Sequence, residues 1–280
     1  MEPGYRTIPE EVAVAFTFGG SSYAVMMATP RDLEDFAVGF SLTEGIIQSP
    51  DEIEELEIIE QAIGVELRMQ LREPHARGFQ ERRRYLAGPT GCGLCGIESL
   101  DEAMRALPAV IDEIVFTPAD IMNALEATTR IQSLHKQTFA MHGAAFYDPT
   151  EGLIALREDV GRHNALDKLS GALARAGRSG GGGIGILTSR LSVEMIQKAA
   201  AIRLPCVVAV SAPTALAVRT ADEAGITLIA VARSDGFEVF THSSRIGKEV
   251  TAHLAGHVRR HGEPDRKVLH EPAQGGRGSS

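Results

Sequence analysis

The chain has 280 residues, a net charge of −9, 44% hydrophobic residues, no tryptophan and three cysteines. This length suffices for one large or two moderate domains with a hydrophobic core, while the negative charge argues against nonspecific nucleic-acid binding. So few cysteines exclude a disulfide scaffold and favour a reducing compartment. The N-terminus lacks the features of a secretory signal and no apolar run reaches membrane-spanning length, so we expect a cytoplasmic protein with no membrane partner.

Residues 1–114 predict a smaller, β-rich region. Two apolar runs flank Gly19-Gly20, which is the pattern of a β-hairpin, and a later segment alternates strictly, as a half-buried strand does. In chain order the predicted elements are strands Val12–Phe18 and Tyr23–Thr29, a helix within 31–43, strand Val65–Leu71, a C-x-x-C loop and a helix over 97–107.

Residues 115–257 predict an α/β domain that binds a cofactor. Thr117-Pro118 supplies the N-cap and first-turn proline of a helix running to about His135. The later predicted elements are apolar segments Thr138–Tyr147 and Leu153–Leu156, helix 161–176, strand Ile184–Thr188, helix 192–202, strand Cys206–Val210, helix 213–224, and strands Thr227–Ala232 and Glu238–Thr241. This alternation predicts a sheet covered on both faces, with ligands at the carboxyl ends of its strands. We expect the polar tail, 258–280, to be disordered.

Two of the three cysteines, Cys92 and Cys95, lie in a glycine-rich C-x-x-C turn, Gly91–Gly96. The start of the following predicted helix favours a thiolate there. Four interpretations stay open: a sulfur carrier, a dithiol–disulfide redox centre, half of a zinc site, and a plain turn with two small residues. Cys206 lies in an apolar run, so we expect it to be a buried small residue.

Two stretches, 91–96 and 180–185, have the spacing G-x-G-x-x-G. A dinucleotide fingerprint must follow a strand and open a helix within a βαβ unit. The first stretch begins no such unit and the second precedes a strand. A Rossmann-type nucleotide site is therefore disfavoured.

Polar clusters follow four successive predicted strands. The first opens a helix with Arg162, His163 and Asn164, where unpaired N–H groups and two basic side chains favour a phosphate; Asn164 could pair with a base or sugar. The alternative is an ordinary helix start with surface ion pairs four residues apart. The other clusters are Thr188–Ser192, which contains Ser189 and Arg190, then Ser211–Thr214 and Arg233–Gly236. We expect one shared anion pocket, suited to a nucleotide or another pyrophosphate.

The motifs GCGLCG, EDVGRHNALDKLSG, TSRLSVEMIQKAA and TALAVRTADEAGITLIAVA, in this order, closely resemble the formate dehydrogenase accessory sulfurtransferase family (FdhD). The resemblance covers about residues 10–255. It implies a cytidine-deaminase-like α-β-α sandwich with a mostly mixed sheet, and a cytoplasmic homodimer. It also implies a sulfurtransferase that takes sulfur from a cysteine desulfurase and passes it to the molybdenum bis(guanine dinucleotide) cofactor of formate dehydrogenase.

The resemblance also implies site residues. Cys92 would hold the persulfide and Cys95 would assist, releasing the product by forming a disulfide. The family's cofactor-contacting stretch would bind the cofactor. That stretch falls on Val231, Ala232, Arg233, Ser234, Asp235 and Gly236, where this chain departs from the basic, proline-glycine form. We expect the polar residues of the strand-end clusters, Arg162, His163, Asn164, Ser189 and Arg190, to bind the cofactor as well.

Two other functions compete with this one. A non-catalytic molybdenum-cofactor chaperone with a structural or redox dithiol stays open. A zinc-dependent deaminase is disfavoured, because His142-Gly143-Ala144 has alanine where the H-x-E signature requires the proton-shuttling glutamate. We also expect no tightly bound zinc, because a structural site normally closes with four ligands and only two thiols lie near the loop.

Overall fold

The computed structural model describes residues 5–73, 107–247 and 253–254, the last two by backbone alone. The C-x-x-C loop with Cys92 and Cys95, all but the last residue of the helix predicted over 97–107, and the tail 258–280 lie outside these residues. The described chain forms a four-stranded sheet followed by a seven-stranded sheet. No helix in the described ranges is both long and apolar enough to cross a bilayer.

The four-stranded sheet contains β1 (Val12–Phe18), β2 (Ser21–Ala28), β3 (Ile53–Gln61) and β4 (Gly64–Leu71), in the order β2-β1-β4-β3. The predicted hairpin is confirmed, and its two glycines have the positive φ angles, 55° and 76°, that a tight two-residue turn needs. The strand over Val65–Leu71 is confirmed as β4. Sequence reasoning missed β3, an edge strand whose acidic, half-exposed sequence obscures the alternation.

Helix α1 (Leu33–Thr43) covers one face of this sheet, as the helical spacing within 31–43 predicts. The buried rings of Phe16, Phe36 and Phe40 form the centre of the contact. The Phe16 ring centroid lies 4.9 Å from that of Phe36 and 4.0 Å from that of Phe40. The N-terminal region therefore has a hydrophobic core of its own.

The second region contains α2 (Pro118–Ile131), α3 (Ser133–Thr138), β5 (His142–Asp148), β6 (Gly152–Asp159), α4 (Arg162–Arg175), β7 (Ile184–Leu187), α5 (Val193–Ala201), β8 (Cys206–Ala209), α6 (Ala215–Glu223), β9 (Thr227–Arg233), β10 (Gly236–Val239) and β11 (His253–Leu254). Their sheet order is β11-β10-β9-β8-β7-β5-β6. The helix predicted to continue to His135 is instead broken at Gln132, which has φ −64° and ψ 87°.

Helices cover both faces of the seven-stranded sheet. Leu166, Leu169 and Ile196 belong to the core between the sheet and α4, α5 and α6. Ile121 and Ala124 of α2 belong to the core on the other face. Strands β7, β8 and β9 are parallel, whereas β5 is antiparallel to both of its neighbours. The predicted α/β class, with a mixed sheet between helical layers and a smaller β-rich region, is confirmed.

The two regions meet where α1 crosses α4. A Cβ atom added to Gly39 of α1 would collide with the backbone oxygen of Asp167, and one added to Gly171 of α4 would collide with the backbone oxygen of Asp35. Both positions therefore need glycine for the helices to approach so closely. Helix α4 thus contacts the seven-stranded sheet on one side and the N-terminal region on the other.

Candidate functional site at the carboxyl ends of the strands

The carboxyl ends of β6, β7, β8 and β9 lie at one edge of the seven-stranded sheet. Strands β7, β8 and β9 run parallel, and β6 has the same direction because the antiparallel β5 lies between β6 and β7. We call this edge, marked by Asp159, Leu187, Ala209 and Arg233, the carboxyl edge. The four predicted polar clusters follow strands that end at this edge, and a shared anion pocket there stays a prediction.

Arg162 and His163 form the first turn of α4 at this edge. The Arg162 Nε atom is buried and has no hydrogen-bond partner among the described residues. The His163 Nε2 atom lies 2.5 Å from Glu194 Oε2 of α5, a close contact without the geometry of a linear hydrogen bond. Burial lowers the pKa of His163, although Glu194 opposes the shift. The buried imidazole of His163 is therefore harder to protonate than a solvent-exposed one.

Ser189, Arg190 and Ser192 lie between β7 and α5. Ser192 occupies the N-cap of α5 without making a capping hydrogen bond, and its buried Oγ atom has no partner within the described ranges. Ser189 Oγ donates to the Arg190 carbonyl at 3.1 Å, and the Arg190 side chain is exposed. Because the starts of α4 and α5 both lack a side-chain cap, their unpaired N–H groups suit an anion at this edge.

The polar clusters that follow β8 and β9 differ from those at the uncapped starts of α4 and α5. Thr214 Oγ1 accepts a hydrogen bond from the Ala217 backbone N–H, so α6 has an ordinary capped start. Arg233, Ser234 and Asp235 are exposed in the turn between β9 and β10. In the predicted cofactor-contacting stretch, Val231 is half-buried and donates its backbone N–H to Ser211, Ala232 is buried, and Gly236 begins β10. A cofactor contact from Ala232 would therefore come from its backbone.

Asn164 lies in the contact between the two regions, with 3% of its surface exposed. Its Nδ2 atom donates to the Met27 carbonyl and to Asp159 Oδ1, both at 2.9 Å. These two bonds engage both amide hydrogens. The amide N–H groups therefore join α4 to β2 and are not available to a ligand, and the contact of Asn164 with a base or sugar stays a prediction.

Asp159 is the centre of this buried contact. Its Oδ2 atom accepts hydrogen bonds from Lys168 Nζ at 2.6 Å and from the Thr29 backbone N–H at 3.0 Å, and its Oδ1 atom accepts one from Gly161 N–H at 2.8 Å. Lys168 and Asp159 are fully buried, and burial lowers the pKa of Lys168 against the opposing effect of Asp159. The alternative of surface ion pairs along α4 is therefore wrong for Lys168.

A second buried cluster joins α1, α4 and α5. Lys198 Nζ lies 2.9 Å from Asp167 Oδ1, 2.8 Å from Glu44 Oε1 and 3.0 Å from Thr43 Oγ1. Burial alone would lower the pKa of Lys198, but the two carboxylates raise it above its ordinary value. Burial raises the pKa of Asp167. The two clusters together tie the helices of the carboxyl edge to the N-terminal region.

The remaining candidates for metal or thiol chemistry are His142 and Cys206. His142 begins β5 at the carboxyl edge, and burial together with Arg162 lowers its pKa. No group of three His, Cys, Asp or Glu side chains in the described ranges could hold a metal ion. Cys206 is fully buried in β8, where burial raises the pKa of its thiol, so the expectation of a buried small residue is confirmed.

A model of the FdhD/NarQ family matches residues 9–247. This chain belongs to that family. It is 54% identical to "Sulfur carrier protein FdhD" of Agrobacterium fabrum over 244 residues, which are 87% of this chain and 90% of the relative. It is 50% identical to "Sulfur carrier protein FdhD" of Brucella abortus over 242 residues, 86% of this chain and 90% of the relative.

A solved structure from Desulfotalea psychrophila supports the fold of this FdhD/NarQ family member. That protein is described as a candidate formate dehydrogenase accessory protein, and it is 24% identical. The superposition has a TM-score of 0.66 and covers 86% of this chain and 91% of the other. The family match spans strands β1 to β10, the carboxyl edge and the C-x-x-C pair, and the resemblance drawn from the motifs is confirmed.

Proposed function

We propose that this chain is a sulfur carrier that serves formate dehydrogenase. The observation that carries the proposal is its 54% identity, over 87% of its length, to a protein named as a sulfur carrier. The matched range contains Cys92 and Cys95. A thiolate is the nucleophilic form of cysteine, so this pair supplies the chemistry that sulfur transfer needs.

Sulfur enters the carrier by exchange between the Cys92 thiolate and a persulfide on the donor protein. The Cys92 thiolate attacks the outer sulfur of a persulfide on a cysteine desulfurase. An S–S bond forms to Cys92, the S–S bond of the donor breaks, and the donor cysteine leaves as a thiolate. The step needs no external oxidant, because one persulfide replaces another.

Delivery requires two electrons, because the outer sulfur leaves as sulfide. The Cys95 thiolate attacks Cys92 Sγ, a disulfide forms between the two cysteines, and the sulfide passes to the molybdenum centre of the substrate cofactor. The two cysteines supply the electrons in this step. A dithiol reductant then reopens the disulfide for the next cycle.

We place the bis(guanine dinucleotide) substrate at the carboxyl edge. Two donors without a partner among the described residues, Arg162 Nε and Ser192 Oγ, lie beside two uncapped helix starts and support a site for its phosphates. We also assign to this phosphate site Ser189, Arg190 and the exposed turn that follows Arg233. A chain with net charge −9 needs such a local basic site to hold a polyanion. The proposal includes a cytoplasmic homodimer, with the desulfurase as donor and formate dehydrogenase as client.

Formate dehydrogenase activity in cells that carry single cysteine variants tests the proposal. Cys92→Ala should abolish the activity, and Cys95→Ala should reduce it to the same or a smaller extent. Cys206→Ala is the matched control and should retain activity, because its thiol is buried in β8 away from solvent. Normal activity with Cys92→Ala would refute the persulfide and favour a cofactor chaperone with a structural or redox dithiol.

A further inference from the structure

Strand β6 is the last strand on one side of the seven-stranded sheet, and within the described ranges it pairs with β5 alone. A cavity of about 300 Å³ follows its outer side from Leu153 to Glu158. A second cavity, of about 530 Å³, reaches Gly152 and shares Leu153 and Ile131 with the first. We call the two cavities together the β6 groove. The groove leaves an edge strand accessible along its length, which natural sheets usually prevent.

The register of the sheet shows which backbone groups of β6 face the groove. The Gly143 N–H of β5 donates to Thr188 Oγ1 at 2.8 Å, and the Gly143 carbonyl accepts from the Thr188 N–H at 3.0 Å, so Gly143 faces β7. Because backbone groups alternate in direction along an antiparallel strand, Ala145 also faces β7. Their partners on β6 are Glu158 and Leu156. These two residues therefore direct their N–H and C=O groups away from β5.

The outward N–H groups of Leu156 and Glu158 are hydrogen-bond donors that the sheet does not use. The Leu156 carbonyl accepts a hydrogen bond from Arg157 Nη1 at 2.8 Å, which agrees with its outward direction. Neither N–H group bonds to another element in the part of the chain that the structure describes. Two such donors, two residues apart, are the pattern that an added strand would pair with.

The β6 groove has a wall on each face of the sheet. The Glu158 carboxylate accepts hydrogen bonds from the backbone N–H groups of Leu134, at 2.9 Å, and His135, at 2.8 Å, so α3 lies on one face. Arg157, one residue earlier, points to the other face, where it pairs with Asp35 of α1 at 2.7 Å. The groove therefore accepts a single extended strand. A second copy of this chain does not fit, because the layers on both faces of its own β6 would meet these walls.

The two walls differ in chemistry. Ile131, which is 45% exposed, and Leu134 give the wall at the junction of α2 and α3 an apolar surface. On the other wall, Arg157 lies 3.6 Å from Asp32, whereas the exposed Arg31 has no ion-pair partner among the described residues. A strand directs successive side chains to opposite faces. An occupant that matches both walls therefore alternates apolar with acidic side chains.

We propose that the β6 groove binds an extended segment of a partner protein, which alternates apolar with acidic residues and adds to β6 as a further strand of the sheet. Hydrogen bonds to the backbone of Leu156 and Glu158 supply affinity, and contacts with Ile131 and Arg31 supply selectivity. The groove contains none of the residues assigned to the phosphate site or to sulfur transfer. The inference is therefore independent of the proposed function.

Amide hydrogen exchange, measured by NMR on the full chain, tests the proposal. In the free protein the Leu156 and Glu158 amides should exchange faster than those of Ala155 and Arg157, which face β5. A capped heptapeptide that alternates valine with glutamate is the probe. At ten times its Kd it should slow exchange of the Leu156 and Glu158 amides about tenfold. The same peptide with proline at its centre should protect them less, because proline cannot donate to a strand.

Arg31→Glu tests the charge of the occupant, and Arg219→Glu, on the exposed part of α6, is the matched control. Arg31→Glu should weaken binding of the valine–glutamate peptide by about two- to fivefold, the range for one exposed ion pair. It should strengthen binding of a valine–lysine peptide. The control should change neither affinity, and the Tm of both variants should match that of the wild type.

Three results would overturn the proposal. Slow exchange of the Leu156 and Glu158 amides in the free protein would mean that the edge is already covered, by a second copy if the protection rises with protein concentration and by the same chain if it does not. Unchanged exchange with the heptapeptide at millimolar concentration would exclude strand addition. Equal affinities for the glutamate and lysine peptides would exclude an acidic occupant.

Discussion

The buried ion pair between Lys168 and Asp159 gives a stability prediction that the structure makes quantitative. Lys168→Met removes a 2.6 Å ion pair to Asp159 and a 2.8 Å hydrogen bond to the Thr29 carbonyl. Methionine is apolar and of similar length, so the main effect is loss of the ammonium group. The Asp159 carboxylate then remains buried beside α4 without its counter-ion.

Removing one partner of a buried pair typically costs about 3–5 kcal/mol. Asp159 keeps three hydrogen-bond donors, from Thr29, Gly161 and Asn164, which hold part of its charge. We therefore expect the free energy of unfolding to fall by about 3 kcal/mol, the lower end of this range. This loss corresponds to a fall in Tm of roughly 6–12 °C for a protein of this size.

Scanning calorimetry of matched variants measures this effect. Arg178→Met removes the surface pair with Glu151 and should lower Tm much less, because water already solvates both charges of that pair. The double variant Lys168→Met/Asp159→Asn should recover part of the loss, because it leaves no unpaired charge. Equal Tm values for Lys168→Met and Arg178→Met would refute the buried pair as a stabilising contact.

Three further predictions concern the ligand site and metal content. Arg162→Ala should weaken GDP binding by about 1.5–3 kcal/mol, the range for a charged hydrogen bond; calorimetric affinity equal to that of Arg178→Ala would contradict this. His163→Ala should weaken GDP binding more below pH 6.5 than above it, because burial lowers the pKa of His163 and only the imidazolium adds charge; a loss independent of pH would contradict this. Elemental analysis should find no stoichiometric zinc, and one zinc per chain, lost in Cys92→Ala, would contradict this.

Much of the fold follows from local patterns in the sequence. The hairpin glycines, the Thr117-Pro118 helix start and the alternation of helices with apolar strands all predict elements that the structure contains. Strand β3 could not be recognised, because an exposed edge strand need not alternate clearly. The break at Gln132 was also missed, because its cause is the anchoring of α3 by Glu158, which comes from a distant strand.

The sequence predicts those parts of the candidate site whose position depends only on the direction of the strands. The parallel strands bring Arg162, His163 and Ser192 to one edge. The sequence could not show that β2 reaches α4, so Asn164 and Lys168 read as ligand or surface residues rather than as buried contacts.

The most direct test of sulfur carriage is the mass of the protein after reaction with a cysteine desulfurase and cysteine. The account predicts the added mass of one sulfur atom on the peptide that contains Cys92, in the wild type and in Cys206→Ala. It predicts no such addition to Cys92→Ala, and loss of the added sulfur when a thiol reductant is present. An unmodified Cys92 in the wild type, under conditions where the desulfurase itself carries a persulfide, would contradict the account.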